Sequence, residues 1–277
     1  MQNHNVKFCI FLDRNQRILV GNDEVMFRYY EEEAIRCVHS IRTNGGRYSD
    51  CEILVGYSSS SGIRGTTIYT LSRYDVTFID MDCLQCSRDG VPEWYGKADF
   101  LFAGPLAFQI VCSRQYMFCS DDTRLVYLDL DVELFGEIPD EVLCADLTLF
   151  SYGREKASYD KSLMERWENL QKSCSPCFNT YIVAHDPSSG FFYRLNRMME
   201  KDMETFKTFY RDVECGGKES DGHYFEESVY DYSYGTLIPK KYVNVLQCED
   251  YEGGFFRHSH IGEKELIPLF RSITGTR

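Results

Sequence analysis

An apolar run, Leu125-Val126-Tyr127-Leu128, leads directly into Asp129-Leu130-Asp131-Val132. In an extended chain, residues two apart share a face, so both carboxylates can converge beyond the carboxyl end of a buried strand. Open α/β sheets bind ligands in the crevice outside such strand ends. Two acids pushed together there repel and lose solvation unless a cation neutralises them. Hard oxygen ligands with open positions suit Mn²⁺ or Mg²⁺, which keep waters and substrate phosphates in their remaining places. Such an ion stabilises negative charge on a departing diphosphate. The plain alternative is a pair of solvated acids in a turn, because Asp-x-Asp is a short and common pattern.

The elements that must position this motif read as an alternation of strands and helices. Residues 6–12, 52–57, 76–79 and 124–128 are short apolar runs of the kind buried in parallel sheets. Residues 31–42 carry Ala34, Ile35, Val38 and Ile41 at helical spacing, and Asn44-Gly45-Gly46 stops that helix. Residues 97–113 read as another helix despite Gly104-Pro105, and residues 191–210 as an amphipathic one whose Leu195, Met198, Met199, Met203 and Phe206 form a core stripe. The connection over residues 13–30 is long enough to hold a hairpin. The pattern predicts an α/β fold with a largely parallel, Rossmann-like sheet flanked by helices.

Bulk composition narrows the partners. A chain of 277 residues with 43% hydrophobic residues can bury a substantial single core. Its formal charge of −13 argues against nucleic acid or an anionic membrane surface, since phosphate contacts need clustered Lys and Arg. There is no apolar run of the ~18 residues a membrane span requires, and the polar start is no signal peptide. The twelve cysteines read as reduced and the protein as cytoplasmic, with Cys9, Cys37, Cys112 and Cys248 in apolar surroundings. Cys83 with Cys86 and Cys174 with Cys177 have CxxC spacing, but the wide gap between the pairs is unlike a zinc ribbon.

The segment from Val126 to Val132, followed by Leu134-Phe135-Gly136-Glu137-Ile138-Pro139, closely resembles the hallmark of family 8 glycosyltransferases, the glycogenin and lipopolysaccharide galactosyltransferase type. Other segments fall in that family's order: residues 34–42 as its first helix, residues 97–109 before the motif, and Cys177-Phe178-Asn179-Thr180-Tyr181-Ile182-Val183 as its acceptor strand. His258 and Lys264 have the spacing of the family's metal histidine and diphosphate lysine, with His260 competing for the metal role. The resemblance implies a GT-A domain over residues 1–277, with a donor-binding half (1–132) and an acceptor half (133–277). It implies metal ligation by Asp129, Asp131 and His258. Donor contacts are expected at Phe11, Leu12, Asp13, Lys97, Asp129 and Lys264, and acceptor contacts at Asn179 and Thr180. The donor would be a UDP-sugar and the acceptor a glycan or glycoprotein. Tyr181 stands where that family usually has glycine, which alters the acceptor pocket.

A second acidic stretch, Asp221-Gly222-His223-Tyr224-Phe225-Glu226-Glu227-Ser228, looks like the Asp-Glu-Ser segment of the blood-group A/B transferase family. A carboxylate under the reacting sugar stabilises its developing positive charge or acts as nucleophile, which makes Glu227 the first catalytic candidate, then Glu226 and Asp221, with retention of configuration. Two other functions compete. A haloacid dehalogenase-type phosphatase would use Asp129 as nucleophile, although Glu133 departs from its motif. A non-catalytic carbohydrate- or nucleotide-binding protein would keep the fold without the chemistry. On the transferase reading, Asp131→Ala abolishes metal-dependent nucleotide binding while leaving the fold intact.

Overall fold

A computed structural model describes residues 4–20, 24–84, 90–95, 103–119, 122–151, 178–201, 230, 237, 239–251 and 253–259. The apolar runs of the first half all become strands. Strand β1 (Asn5–Leu12) is followed by the expected hairpin, β2 (Gln16–Val20) and β3 (Glu24–Arg28), and then by helix α1 (Tyr30–Asn44). Next come β4 (Glu52–Tyr57), α2 (Gly65–Ser72), β5 (Val76–Asp80) and the one-turn α3 (Met81–Leu84). Helix α4 (Ala103–Tyr116) leads to β6 (Thr123–Leu128), β7 (Val132–Leu134), the one-turn α5 (Asp140–Leu143) and β8 (Leu147–Ser151). Strand β9 (Phe178–His185), helix α6 (residues 191–201), β10 (Val243–Gln247) and β11 (Phe256–His258) complete the described elements.

Seven strands form one sheet in the order β10-β8-β9-β6-β1-β4-β5. Its neighbours run parallel except around β9, which is antiparallel to both β6 and β8. The second half of the chain, irregular to sequence inspection, thus adds β8, β9 and β10 to the sheet begun by the first half. Strands buried on both faces read as apolar runs, as Leu125 to Leu128 does, and β6 is buried at every position. The period-2 alternation of β1 sends Phe8, Ile10 and Leu12 into the core against α1 and Cys9 into the core against α4.

Helix α1 begins and ends as its sequence dictates. Ala34, Ile35, Val38 and Ile41 are buried, the Gly45 N–H donates to Ile41 O, and Gly46 takes a left-handed φ of +59°. The first turn holds Glu31, Glu32 and Glu33, all buried. Carboxylates suit the positive end of a helix, and arginines complete them: Arg64 lies 3.0 Å from Glu31 and 2.6 Å from Glu32.

On the opposite face, α4 packs tightly on the sheet because β4 has a glycine there. A Cβ at Gly56 would lie 2.4 Å from Phe108 Cδ2. Gly56→Ala is expected to destabilise the fold by about 1–3 kcal/mol through this overpacking, seen as a lower urea midpoint.

The buried thiols are where apolar context placed them: Cys9, Cys37, Cys112 and Cys248 are all buried. Cys83 is exposed, while Cys86, Cys174 and Cys177 lie outside the described residues, as do residues 97–102 of the helix expected to start at Lys97. Among the described residues, no helix is long and apolar enough to cross a membrane.

Candidate active site

Beyond β6 the chain turns instead of staying extended. The Val132 N–H donates to Asp129 O at 3.1 Å, and the Leu130 N–H to Asp129 Oδ1 at 2.9 Å. The Asp129 N–H donates to Tyr181 O at 2.9 Å, tying the turn to β9. Both aspartates line one cavity of about 70 Å³, whose walls include Phe11, Asp13, Arg28, Tyr30, Gln109 and Thr180. That is room for a hydrated ion or a phosphate group, short of a whole nucleotide sugar.

The two acids differ in surroundings. Asp129 is surrounded by protein yet open to the cavity mouth, whereas Asp131 is only 4% exposed. Burial, and then the charge of Asp131, push the Asp129 carboxyl up to about 7. Asp131 Oδ2 receives the Arg28 guanidinium at 3.1 Å and His258 Nε2 at 3.0 Å. Sequence reasoning missed Arg28: it ends the hairpin, is 2% exposed, and also lies 3.4 Å from Glu33.

His258 arrives by strand pairing. β11 runs antiparallel to β7, setting His258 opposite Val132 and Arg257 opposite Glu133, with Arg257 and Glu133 paired at 2.9 Å. The Ser259 N–H donates to Asp131 O at 3.0 Å, and Arg36 donates to Ser259 O. The His258 ring stacks on Tyr181, centroids 3.7 Å apart and planes at 16°. Tyr181, the residue standing where a glycine was expected, therefore supports the imidazole that touches Asp131. His260 lies outside the described residues.

Tyr30 was also missed by sequence reasoning. Its ring lies 5.0 Å under the Arg28 guanidinium, and its buried hydroxyl has no hydrogen-bond partner among the described residues. Burial, opposed by Arg28 and reinforced by Asp129, raises its phenol to about 12, so it stays neutral. Tyr30 is among the residues that line the cavity, and an unsatisfied buried hydroxyl awaits a polar partner.

The other expected site residues divide. Phe11 and Asp13 line the cavity, but Leu12 does not: strand alternation turns it into the core on the far side. Thr180 lines the cavity, while Asn179 is fully buried and accepts from the Tyr181 N–H at 3.3 Å. Lys97, Asp221, Glu226, Glu227 and Lys264 lie outside the described residues. Asp131 cannot be a freely removable ligand, as the sequence suggested, because its carboxylate anchors a buried ion network.

The donor chemistry suits a divalent cation: two carboxylates and an imidazole, with one carboxyl's pKa raised by burial and by the charge of the other. Among the described residues, however, no three such side chains are already drawn together as a metal cluster, and Arg28 and His258 already meet Oδ2 of Asp131.

No protein-family model matches the sequence, and no curated protein matches it. Among solved structures, the galactosyltransferase LgtC, in complex with donor and acceptor sugar analogues, superposes with a TM-score of 0.51 at 12% identity, covering 86% of this chain and 72% of its own. The bifunctional glycosyltransferase WbbM gives a TM-score of 0.54 at 11% identity over 88% of this chain, which spans 39% of WbbM. The chain therefore shares the α/β fold of these two enzymes.

Proposed function

We propose that this protein is a glycosyltransferase of the family 8 kind, moving a sugar from a nucleotide-sugar donor, a UDP-sugar first, to a glycan or glycoprotein acceptor with retention of configuration. One observation carries the reading. The turn after β6 brings Asp129 and Asp131 into one cavity, and His258 is delivered to Asp131 at 3.0 Å by the β7–β11 pairing, in a fold shared with two glycosyltransferases.

Asp129, Asp131 and His258 would hold Mn²⁺ or Mg²⁺, which supplies a Lewis acid for the leaving diphosphate. The protein groups do the rest. Phe11 and Tyr30 form an aromatic wall for the donor, and the Tyr30 hydroxyl offers a hydrogen bond within it. Thr180 lies on the β9 side of the same cavity, suited to contact the transferred sugar or its acceptor. Glu227, with Glu226 and Asp221 behind it, is proposed for the underside of the reacting sugar, and Lys97 and Lys264 for the donor phosphates. The galactosyltransferase named above suggests a galactosyl donor for the first trials.

The decisive experiment measures thermal unfolding with UDP or GDP, with and without Mn²⁺. A ligand at a hundred times its Kd adds about 2.7 kcal/mol to stability, so the melting temperature should rise only when ion and nucleotide are both present. No shift with either nucleotide, or phosphate release from p-nitrophenyl phosphate that is lost in Asp129→Asn, would sink the reading.

A further inference from the structure

The hairpin places a cation where the proposed chemistry places a metal. β3 ends at Arg28, paired in register with Gln16, and strand alternation turns Phe27 outward at 41% exposure and Arg28 inward at 2%. The buried guanidinium spans Asp131 Oδ2 at 3.1 Å and Glu33 Oε2 at 3.4 Å, with the Tyr30 ring 5.0 Å away. It lines the same cavity as Asp129, Asp131 and Asp13. A carboxylate buried this deeply requires a positive partner. A guanidinium and a divalent ion cannot share one carboxylate oxygen without strong mutual repulsion.

We propose that Arg28 is a built-in counterion for the cation site: it holds the Asp131 carboxylate when no divalent ion is bound, yields that oxygen to the ion, and turns to the donor's diphosphate. The second half rests on reading the cleft as a nucleotide-sugar site. The planar fork of arginine suits the exchange, because it can keep Glu33 while presenting its other N–H groups to phosphate oxygens. Arg28 thereby becomes a positioning residue for the ion and a specificity residue for diphosphate. Nucleosides without phosphates gain nothing from it.

The test compares wild type with Arg28→Gln in two binding titrations, neither of which reads activity. Mn²⁺ alone, followed by the spin resonance of the free ion, should bind Arg28→Gln about tenfold more tightly because its competitor is gone. UDP at saturating Mn²⁺, followed by calorimetry, should bind the same variant about tenfold more weakly, with uridine unaffected. Opposite signs separate the proposal from a merely loosened site, which would weaken both. Equal or weaker Mn²⁺ affinity in Arg28→Gln overturns the counterion role whatever UDP does, and unchanged UDP affinity overturns the handover. If wild type itself ignores UDP at saturating Mn²⁺, the donor reading and the handover fall together, while a tighter Mn²⁺ site in the variant still upholds the counterion. Should Arg28→Gln not fold, Arg28→Lys makes the same comparison. Lysine keeps the charge but lacks the further N–H groups of the guanidinium for phosphate oxygens, so the same two shifts should appear at smaller size.

Discussion

Asp129→Asn is expected to lower metal-supported sugar transfer more than about a hundredfold, since Lewis-acid stabilisation contributes several kcal/mol and each ~1.4 kcal/mol is a factor of ten. The same change should make the metal-free protein more stable at pH 8. Asp129 holds its proton until about pH 7, against an ordinary value of 3.8, because burial and Asp131 both oppose its ionisation. The native state therefore binds more protons than the unfolded chain between those values, and stability falls as pH rises through that window. Above it the full penalty is present, and the amide removes it. Discounted for the access of Asp129 to water, the gain should be about 1 kcal/mol, or roughly 2–4 °C in melting temperature, shrinking to nothing near pH 4. Mn²⁺ should stabilise wild type and leave the variant unmoved. For the same reason, ion-dependent UDP binding by wild type should weaken as pH falls below 7, up to about tenfold per unit. A variant no more stable than wild type at pH 8 would show that the carboxyl is not under strain.

Asp131→Ala should also abolish transfer, but with the opposite effect on the fold. Its carboxylate is buried between Arg28 and His258, and its backbone carbonyl holds Ser259. Removing one partner of a buried pair costs about 3–5 kcal/mol. Glu33 still faces Arg28, so the low end applies: about 3 kcal/mol, or roughly 6–12 °C in melting temperature. Guanidinium unfolding at pH 8 without metal would place the three proteins in the order Asp129→Asn, wild type, Asp131→Ala. The reverse order would mean that the two acids have been assigned to each other's environments. Asp129 is accordingly the cleaner position for testing chemistry apart from folding.

Much of the scaffold was legible because its signals are local. Continuous apolar runs marked β1, β4, β5 and β6, helical spacing marked α1, the Gly45-Gly46 pair marked its end, and the length of residues 13–30 announced a hairpin. The antiparallel direction of β9 was not legible, since a strand buried on both faces has the same apolar composition in either direction. The inward turn of the Leu12 side chain was not legible for a related reason: a one-residue step along a strand reverses the face, and local pattern alone does not say which face the core buries.

By itself the sequence determined that two acids follow a buried strand in a chain with an α/β alternation, because residue type and short-range periodicity set both. Only the tertiary structure decided what each acid contacts. The pairing of β7 with β11 carries His258 across more than a hundred residues to Asp131, and a hairpin alternation turns Arg28 inward to the same oxygen, leaving Asp129 to face the cavity. Those contacts depend on register between distant segments, and register is fixed by which faces the whole core buries, not by any residue's neighbours in the chain.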